Sequence, residues 1–148
     1  MREILFRGKA INRDPNRSYR TKYKNGDWVY GLLTDVENYA GFSEMTNTDG
    51  VSGIEVDKNT VGQFTGLTDK NGTKIFEGDV VAQNWYDHDE PADSSFGEVV
   101  FCEYDCSFSV MDIEKDGIVP LGICHAYHWE AEVIGNIHDN DLGDFDGN

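Results

Sequence analysis

The stretch Thr60–Ala82, TVGQFTGLTDKNGTKIFEGDVVA, has the densest local signals in the chain. It reads as strand, tight turn, strand, turn, strand. Asn71-Gly72 lies between the apolar runs Val61–Phe64 and Lys74–Phe76. Asn-Gly suits a type I′ turn, whose two central residues both need positive φ, and this places the reversal at Lys70–Thr73. Glu77-Gly78-Asp79 marks a second turn, after which Val80 and Val81 open another strand that continues through Trp85. Gly62 and Gly66, within or beside strand residues, suggest bulges or sharp bends, as small closed sheets require. Asp69-x-Asn71-Gly72 superficially resembles a calcium loop. Such a loop ends on a glutamate at its twelfth position, and here that position is Val80.

Outward from this stretch, turn signals recur at short intervals between β-rich runs, and no long run of 3.6-residue apolar period occurs. The pattern predicts an all-β barrel or sandwich, and the glycine-bearing corners favour closure into a barrel. Glu3–Ile11 reads as a first strand, with Leu5, Arg7 and Lys9 on one face. Tyr19–Lys24 and Asp27–Thr34 flank Asn25-Gly26, a second type I′ signal. Either Tyr19–Lys24 or Ile4–Ile11 is expected to pair with Asp27–Thr34, and a sheet containing all three segments is favoured. Asp35–Phe42 reads as a connection, Ile54–Val56 as a short strand, and Tyr86–Ser95, crowded with Asp87, Asp89, Glu90 and Asp93, as a disorder-prone loop. Gly97–Glu103 and Cys106–Ile113 read as strands around a turn near Tyr104-Asp105, and Trp129–Ile137 as a strand containing Gly135. Ile134-Gly135-Asn136-Ile137 echoes Val61-Gly62-Gln63-Phe64, so two similarly bent strands are candidates for neighbours in a barrel. Asp139–Asn148 is a polar, acidic tail.

At 148 residues the chain fits one domain, or one domain with an appended hairpin. A domain of this size buries about 70% of its unfolded surface and needs no metal or disulfide staple. No apolar run approaches the ~18 residues of a membrane span. The opening is charged and lacks an apolar core region, so no secretory signal is expected. The formal net charge is −16. Residues 1–30 hold eight Lys/Arg against three Asp/Glu, a balance of +5, and the remainder carries −21. A body this acidic repels nucleic acid in general.

Three short pieces and the central stretch carry a resemblance. Gly62–Gly72 followed by Ile75–Val81, the opening Met1–Ile4 with Phe6–Lys9, the run Asn25–Gly31, and the close Glu132–Asn140 together resemble the YopX-like family, encoded by phages and prophages. The match is strong over roughly a third of the residues. Asn84–Glu130 matches no motif, and residues 12–24 are longer than the family pattern. The resemblance implies a mostly-β domain with an SH3-like small β-barrel, an additional N-terminal β-hairpin or sheet, and little helix. It implies no activity and no cofactor. The expected layout is a single domain over 1–148, with an N-terminal β segment over 1–57, a barrel core over 58–138 and the acidic tail over 139–148.

Few residues suggest chemistry. Cys102, Cys106, Cys124, His125 and His128 are zinc-type ligands. In a continuous strand, however, residues four apart lie about 13 Å from each other, too far for one ion or for a disulfide, which needs Cα atoms within about 7 Å. Reduced thiols in a cytoplasm are therefore expected. Cys124 and His125 are sequence neighbours, which face opposite ways on a strand. No nucleophile elbow, P-loop or dinucleotide fingerprint is present. The best functional stretch is the basic, aromatic opening, where Arg13, Arg17, Arg20, Lys22 and Lys24 interleave with Tyr19 and Tyr23. Cations beside aromatic platforms suit single-stranded nucleic acid, and equally an edge hairpin kept soluble by charge. The reading that follows is a non-enzymatic interaction module in the bacterial cytoplasm, binding a host or phage protein, with a homo-oligomer as a further option. Its alternatives are nucleic-acid binding through the basic opening, or an acidic nucleic-acid mimic. No membrane partner is expected.

Overall fold

A computed structural model describes residues 2–13, 22–39, 41–122 and 127–141. These residues form eleven strands and one short 3-10 turn at Lys58–Thr60. The strands are β1 (Phe6–Lys9), β2 (Trp28–Asp35), β3 (Ser43–Asn47), β4 (Ile54–Val56), β5 (Gly62–Thr68), β6 (Lys74–Phe76), β7 (Asp79–Asp87), β8 (Glu90–Cys102), β9 (Ser107–Asp112), β10 (Gly117–Pro120) and β11 (His128–Asn136). They make two sheets, a six-stranded one of order β4-β3-β2-β1-β5-β6 and a five-stranded one of order β10-β9-β8-β7-β11. All strand pairs with a traced register are antiparallel. The chain is all-β, as its turn spacing predicts. The expected closed barrel is not traced by the described strands: both sheets are open, ending on β4 and β6 and on β10 and β11. Among the described residues no helix is long and apolar enough to cross a membrane.

Two compact units divide the chain, Met1–Phe64 and Thr65–Asn148, and β5 runs from one into the other. In the first, β1 pairs with β2 from Phe6↔Gly31 to Lys9↔Trp28. β1, within Ile4–Ile11, thus supplies a partner of the second strand. Lys22–Lys24 lie outside any strand, and Tyr19–Thr21 lie outside the described residues. The core here is Ala10, Val29, Met45, Ile54 and Val56. At Asn25-Gly26 only Gly26 has positive φ, with Asp27 N–H donating to Lys24 C=O at 3.0 Å. That is the signature of a type II turn rather than type I′.

The second unit is built on Ile75, Val81, Val99, Val110 and Ala131. Its β5–β6 turn falls where the sequence places it, but with different geometry. Gly72 N–H donates to Asp69 C=O at 3.0 Å, Asp69 N–H donates to Thr73 C=O at 2.8 Å, and Gly72 alone takes positive φ, at 81°. This is a three-residue loop, a type I turn with a glycine bulge, and Asn71 needs no left-handed backbone. The reason is Asp69. Its Oδ1 accepts from Asn71 N–H and Thr73 N–H, both at 2.9 Å, a local alternative that holds the turn in the type I form. Its Oδ2 accepts from Val133 N–H of β11 at 3.0 Å, and Lys70 N–H donates to Ala131 C=O at 2.9 Å. The turn therefore covers the outer edge of β11, an exposed row that would otherwise invite pairing with another chain.

Two other buried aspartates act in the same way. Asp79 accepts from Phe76 N–H at 2.8 Å and closes the β6–β7 turn. Asp112 Oδ1 accepts from Glu114 and Lys115 N–H at 2.8 and 2.7 Å, and its Oδ2 from Phe96 N–H at 3.2 Å. Gly97 lets β9 approach β8, since a Cβ there would lie 1.9 Å from Met111 C=O.

The segment Tyr86–Ser95 is not a loop. It is the end of a long β7–β8 hairpin that pairs out to Asp87↔Glu90. His88 and Asp89, with φ of 49° and 70°, form its two-residue turn. Positive φ at both central residues is the type I′ pattern, here met by two residue types that tolerate left-handed backbone better than most. Pro91 sits in β8 beyond the reach of β9, which pairs only with Gly97–Cys102, so its missing N–H costs no ladder bond on that side. Residues 103–106 form a turn with Cys106 at φ 51°, so Cys102 and Cys106 are not on one continuous strand. β5 and β11 are not sheet neighbours, and the echo between them carries no pairing. Gly135 does mark a break in register, between Val133 and Gly135.

Burial pushes the Asp69 carboxyl up, but amide donation from Val133, Thr73 and Asn71 together outweighs it and holds the group below its ordinary value. Because the folded value is depressed, the stabilisation is complete above the unfolded carboxyl range. It is lost as pH falls through the lower folded value. Replacing Asp69 with Ala is expected to cost at least about 2 kcal/mol in urea unfolding at neutral pH, since buried amides lose a charged acceptor. Asp69→Asn should flatten the acid limb of the stability–pH curve. An unchanged midpoint for Asp69→Ala would contradict this role.

Candidate functional site

Of the described residues of the basic opening, Arg13, Lys22 and Tyr23 are engaged with their own fold. Arg13 stacks 3.8 Å from the ring centroid of Phe42. Lys22 pairs with Asp49 at 2.9 Å and lies 5.6 Å from the Tyr23 ring centroid. Hydrogen bonding to Asp49, then its charge, raises the Lys22 ammonium above its usual value and lowers the carboxylate in return. Tyr23 packs against the first core and its hydroxyl accepts from Asn47 Nδ2 at 2.9 Å. Lys24 is exposed. Arg17, Tyr19 and Arg20 lie outside the described residues. A basic–aromatic cluster that the sequence only hinted at lies one strand away. Arg7 and Lys9 sit 4.6 and 5.3 Å from the Trp28 ring centroid. Tyr30 and Leu32, on the same face of β2, are exposed.

Among the described residues no group of three or more His, Cys, Asp or Glu side chains could hold a metal ion. Cys102 is buried and Cys106 exposed, both as free thiols. Cys124 and His125 lie outside the described residues. His128 is 3.5 Å from Glu130 on β11.

A second site is built by the register of the five-stranded sheet. Val81, Gln83 and Trp85 alternate onto one face of β7. Across that face Ser95 and Ala131 flank Gln83, and Asp93 and Trp129 flank Trp85. Gln83 is fully buried. Its Nε2 donates to Ser95 Oγ at 2.8 Å and Pro120 C=O at 3.0 Å, and its Oε1 accepts from Trp129 Nε1 at 2.9 Å and Gly122 N–H at 3.4 Å. Trp85 Nε1 donates to Gly122 C=O at 3.0 Å. One glutamine and one indole thereby hold the segment after β10 over the sheet. The result is a cleft of about 400 Å³ with Trp85 at its base, Val119–Gly122 and Tyr127 as apolar walls, and Asp93 as its ionised group. Hydrogen bonding from Lys115, then from the Ser94 amide, keeps the Asp93 carboxyl below its ordinary value. The Lys115 ammonium lies 2.8 Å away.

Charge is divided by unit. The first holds nine Lys/Arg and nine Asp/Glu, and the second holds three and nineteen, so the whole −16 resides in the second. Asp87, Asp89 and Glu90 stand exposed at the hairpin end beside the cleft. Sequence reading missed the cleft because Asp93 and Trp85 become neighbours only through strand register. The alternation Val81-x-Gln83-x-Trp85 was the available signal that a glutamine faces the core. Replacing Gln83 with Leu should cost about 2–3 kcal/mol, because the Trp129 N–H and its partners are left unpaired in a buried setting. Urea unfolding followed by tryptophan emission measures this, and an unchanged midpoint would show that the network does not hold the segment.

Cleft, buried aspartate caps and basic–aromatic face together specify no reaction. A search of curated proteins returns no match. The chain does match the family described as YopX protein over residues 9–142, which takes in β2 to β11, the last residue of β1 and nearly all of the described residues. The protein therefore belongs to the YopX family.

Proposed function

We propose that this is a non-catalytic interaction module that binds a protein partner through its acidic second unit, in the cytoplasm of a bacterial host of a phage or prophage. The observation that carries this reading is the Trp85 cleft, an apolar pocket with one carboxylate, set beside an acidic hairpin in a unit of net charge −16. Small specific pockets of this kind anchor one side chain of a partner, and surrounding charge selects which partner approaches. The SH3-like organisation implied by the family resemblance belongs to this proposal, since SH3-like folds commonly bind peptides, proteins or nucleic acid by loops and one strand face. A homo-oligomer formed by the basic opening against an acidic neighbour fits the same charge layout.

A second reading is favoured by Lys9 over the Trp28 ring, with Tyr30 and Leu32 exposed on the same face of β2. Cations and aromatics on one sheet face suit single-stranded nucleic acid, extended by the basic residues 13–24. Capture of the tagged chain from lysogenic host lysate, with and without nuclease, separates the two. The module reading expects a stoichiometric partner that survives nuclease, and no binding of labelled single-stranded DNA or RNA. Capture that disappears with nuclease would overturn it. In that case, replacing Arg17, Arg20, Lys22 and Lys24 with Ala should abolish binding, and affinity should fall steeply with salt.

A further inference from the structure

We infer that the Trp85 cleft is an arginine receptor, taking one arginine side chain from a basic segment of the partner protein. This rests on the module reading above and names its anchoring site.

Three features of the cleft converge on that chemistry. Its walls are apolar, so the side chain needs an aliphatic stem that gains from leaving water. Its aromatic elements, Trp85 at the base and the half-exposed Tyr127 at the wall, have their value for a cation in the ring faces, because the Trp85 N–H already donates to Gly122 C=O. Among the described residues, Asp93 is its one charged lining residue. Both contacts to that carboxylate, from Lys115 Nζ and from Ser94 N–H, fall on Oδ1. Among the described residues Oδ2 receives none. A carboxylate held on one oxygen and open on the other accepts a second donor without giving up the first.

Charge decides the occupant. The unit holds three lysines against nineteen acids, and Asp87, Asp89 and Glu90 are exposed on the hairpin that forms one side of the site. An anionic or neutral apolar segment would be repelled or unselected, whereas a basic one is steered in. Between the two basic side chains, the planar guanidinium both stacks on aromatic faces and donates in parallel to a carboxylate. A lysine ammonium does neither as well.

The test uses the full chain, labelled with 15N, and two capped peptides, Gly-Leu-Arg-Leu-Gly and the same sequence with citrulline in place of arginine. Citrulline keeps the shape and removes the charge. The arginine peptide should shift the Trp85 indole and Tyr127 signals saturably, and the citrulline peptide should bind at least about tenfold more weakly. Asp93→Asn should weaken the arginine peptide about tenfold, while Asp89→Asn with Glu90→Gln, which removes more charge, should change it less than about threefold. Asp93 is exposed, so thermal unfolding of Asp93→Asn should match the parent and exclude misfolding as the cause. Equal losses in the two variants, shifts centred elsewhere, or no saturable binding would overturn the assignment. Concentration-dependent self-association abolished by Asp93→Asn would instead place a second copy of this chain in the cleft. If Asp93→Asn leaves a nuclease-resistant partner complex intact, the cleft assignment fails while the module reading stands. If no such complex forms, the module reading fails.

Discussion

The Asp69 carboxylate is the contact on which the second unit depends. One oxygen shapes the β5–β6 turn through Asn71 and Thr73, and the other reaches Val133 on β11. A local Asx-type turn and a long-range tie thus share one side chain. The consequence is that β11 has its outer edge covered at mid-strand by the turn, with Lys70 adding both a backbone donor to Ala131 and an ion pair to Glu132 at 3.4 Å. The exposed ion pair adds little. The backbone bonds and the carboxylate do the ordering, because they satisfy amides that would otherwise be left at an open edge.

The same device recurs and changes how the acidic composition is understood. Asp79 and Asp112 are buried turn caps, and Asp57 accepts from Asn59 N–H at 3.0 Å at the 3-10 turn. In an all-β chain with many corners, carboxylates that accept backbone amides stabilise turns locally. Among the described residues, Asp87, Asp89 and Glu90 at the end of the β7–β8 hairpin make no such bond. They stand in solvent on a strand pair whose length the fold does not need for its core. An exposed, single-sign surface beside a shaped cleft fits the proposed recognition role better than a packing one. The first unit, with balanced charge, contrasts with it.

Much of the fold was legible because its signals are local. Asn71-Gly72, Glu77-Gly78-Asp79 and Gly135 each mark a turn or a break where one is observed, and apolar runs between them became strands. What was not legible depended on context. His88-Asp89 lacks the glycine that announces a type I′ turn, so a hairpin read as a loop. Asp69 outcompeted the Asn-Gly preference by binding the turn amides itself. Gln83 sits at a core position by alternation, yet its acceptors and donors come from β8, β11 and the segment after β10, which no single-strand pattern reveals. The Asp93–Trp85 pairing is likewise a product of register. The basic opening was visible as composition, but composition does not tell a free cation from one already stacked on Phe42 or paired with Asp49.

One depressed carboxylate joins the β5–β6 turn to the edge of β11. Carbon-detected NMR titration of the Asp69 carboxyl, read alongside the amide shift of Val133, tests it most directly. The expected result is a midpoint below that of an unstructured aspartate, with the Val133 amide moving at the same pH as the carboxyl. An ordinary Asp69 midpoint, or a Val133 amide that ignores it, would show that the edge of β11 is held by something else.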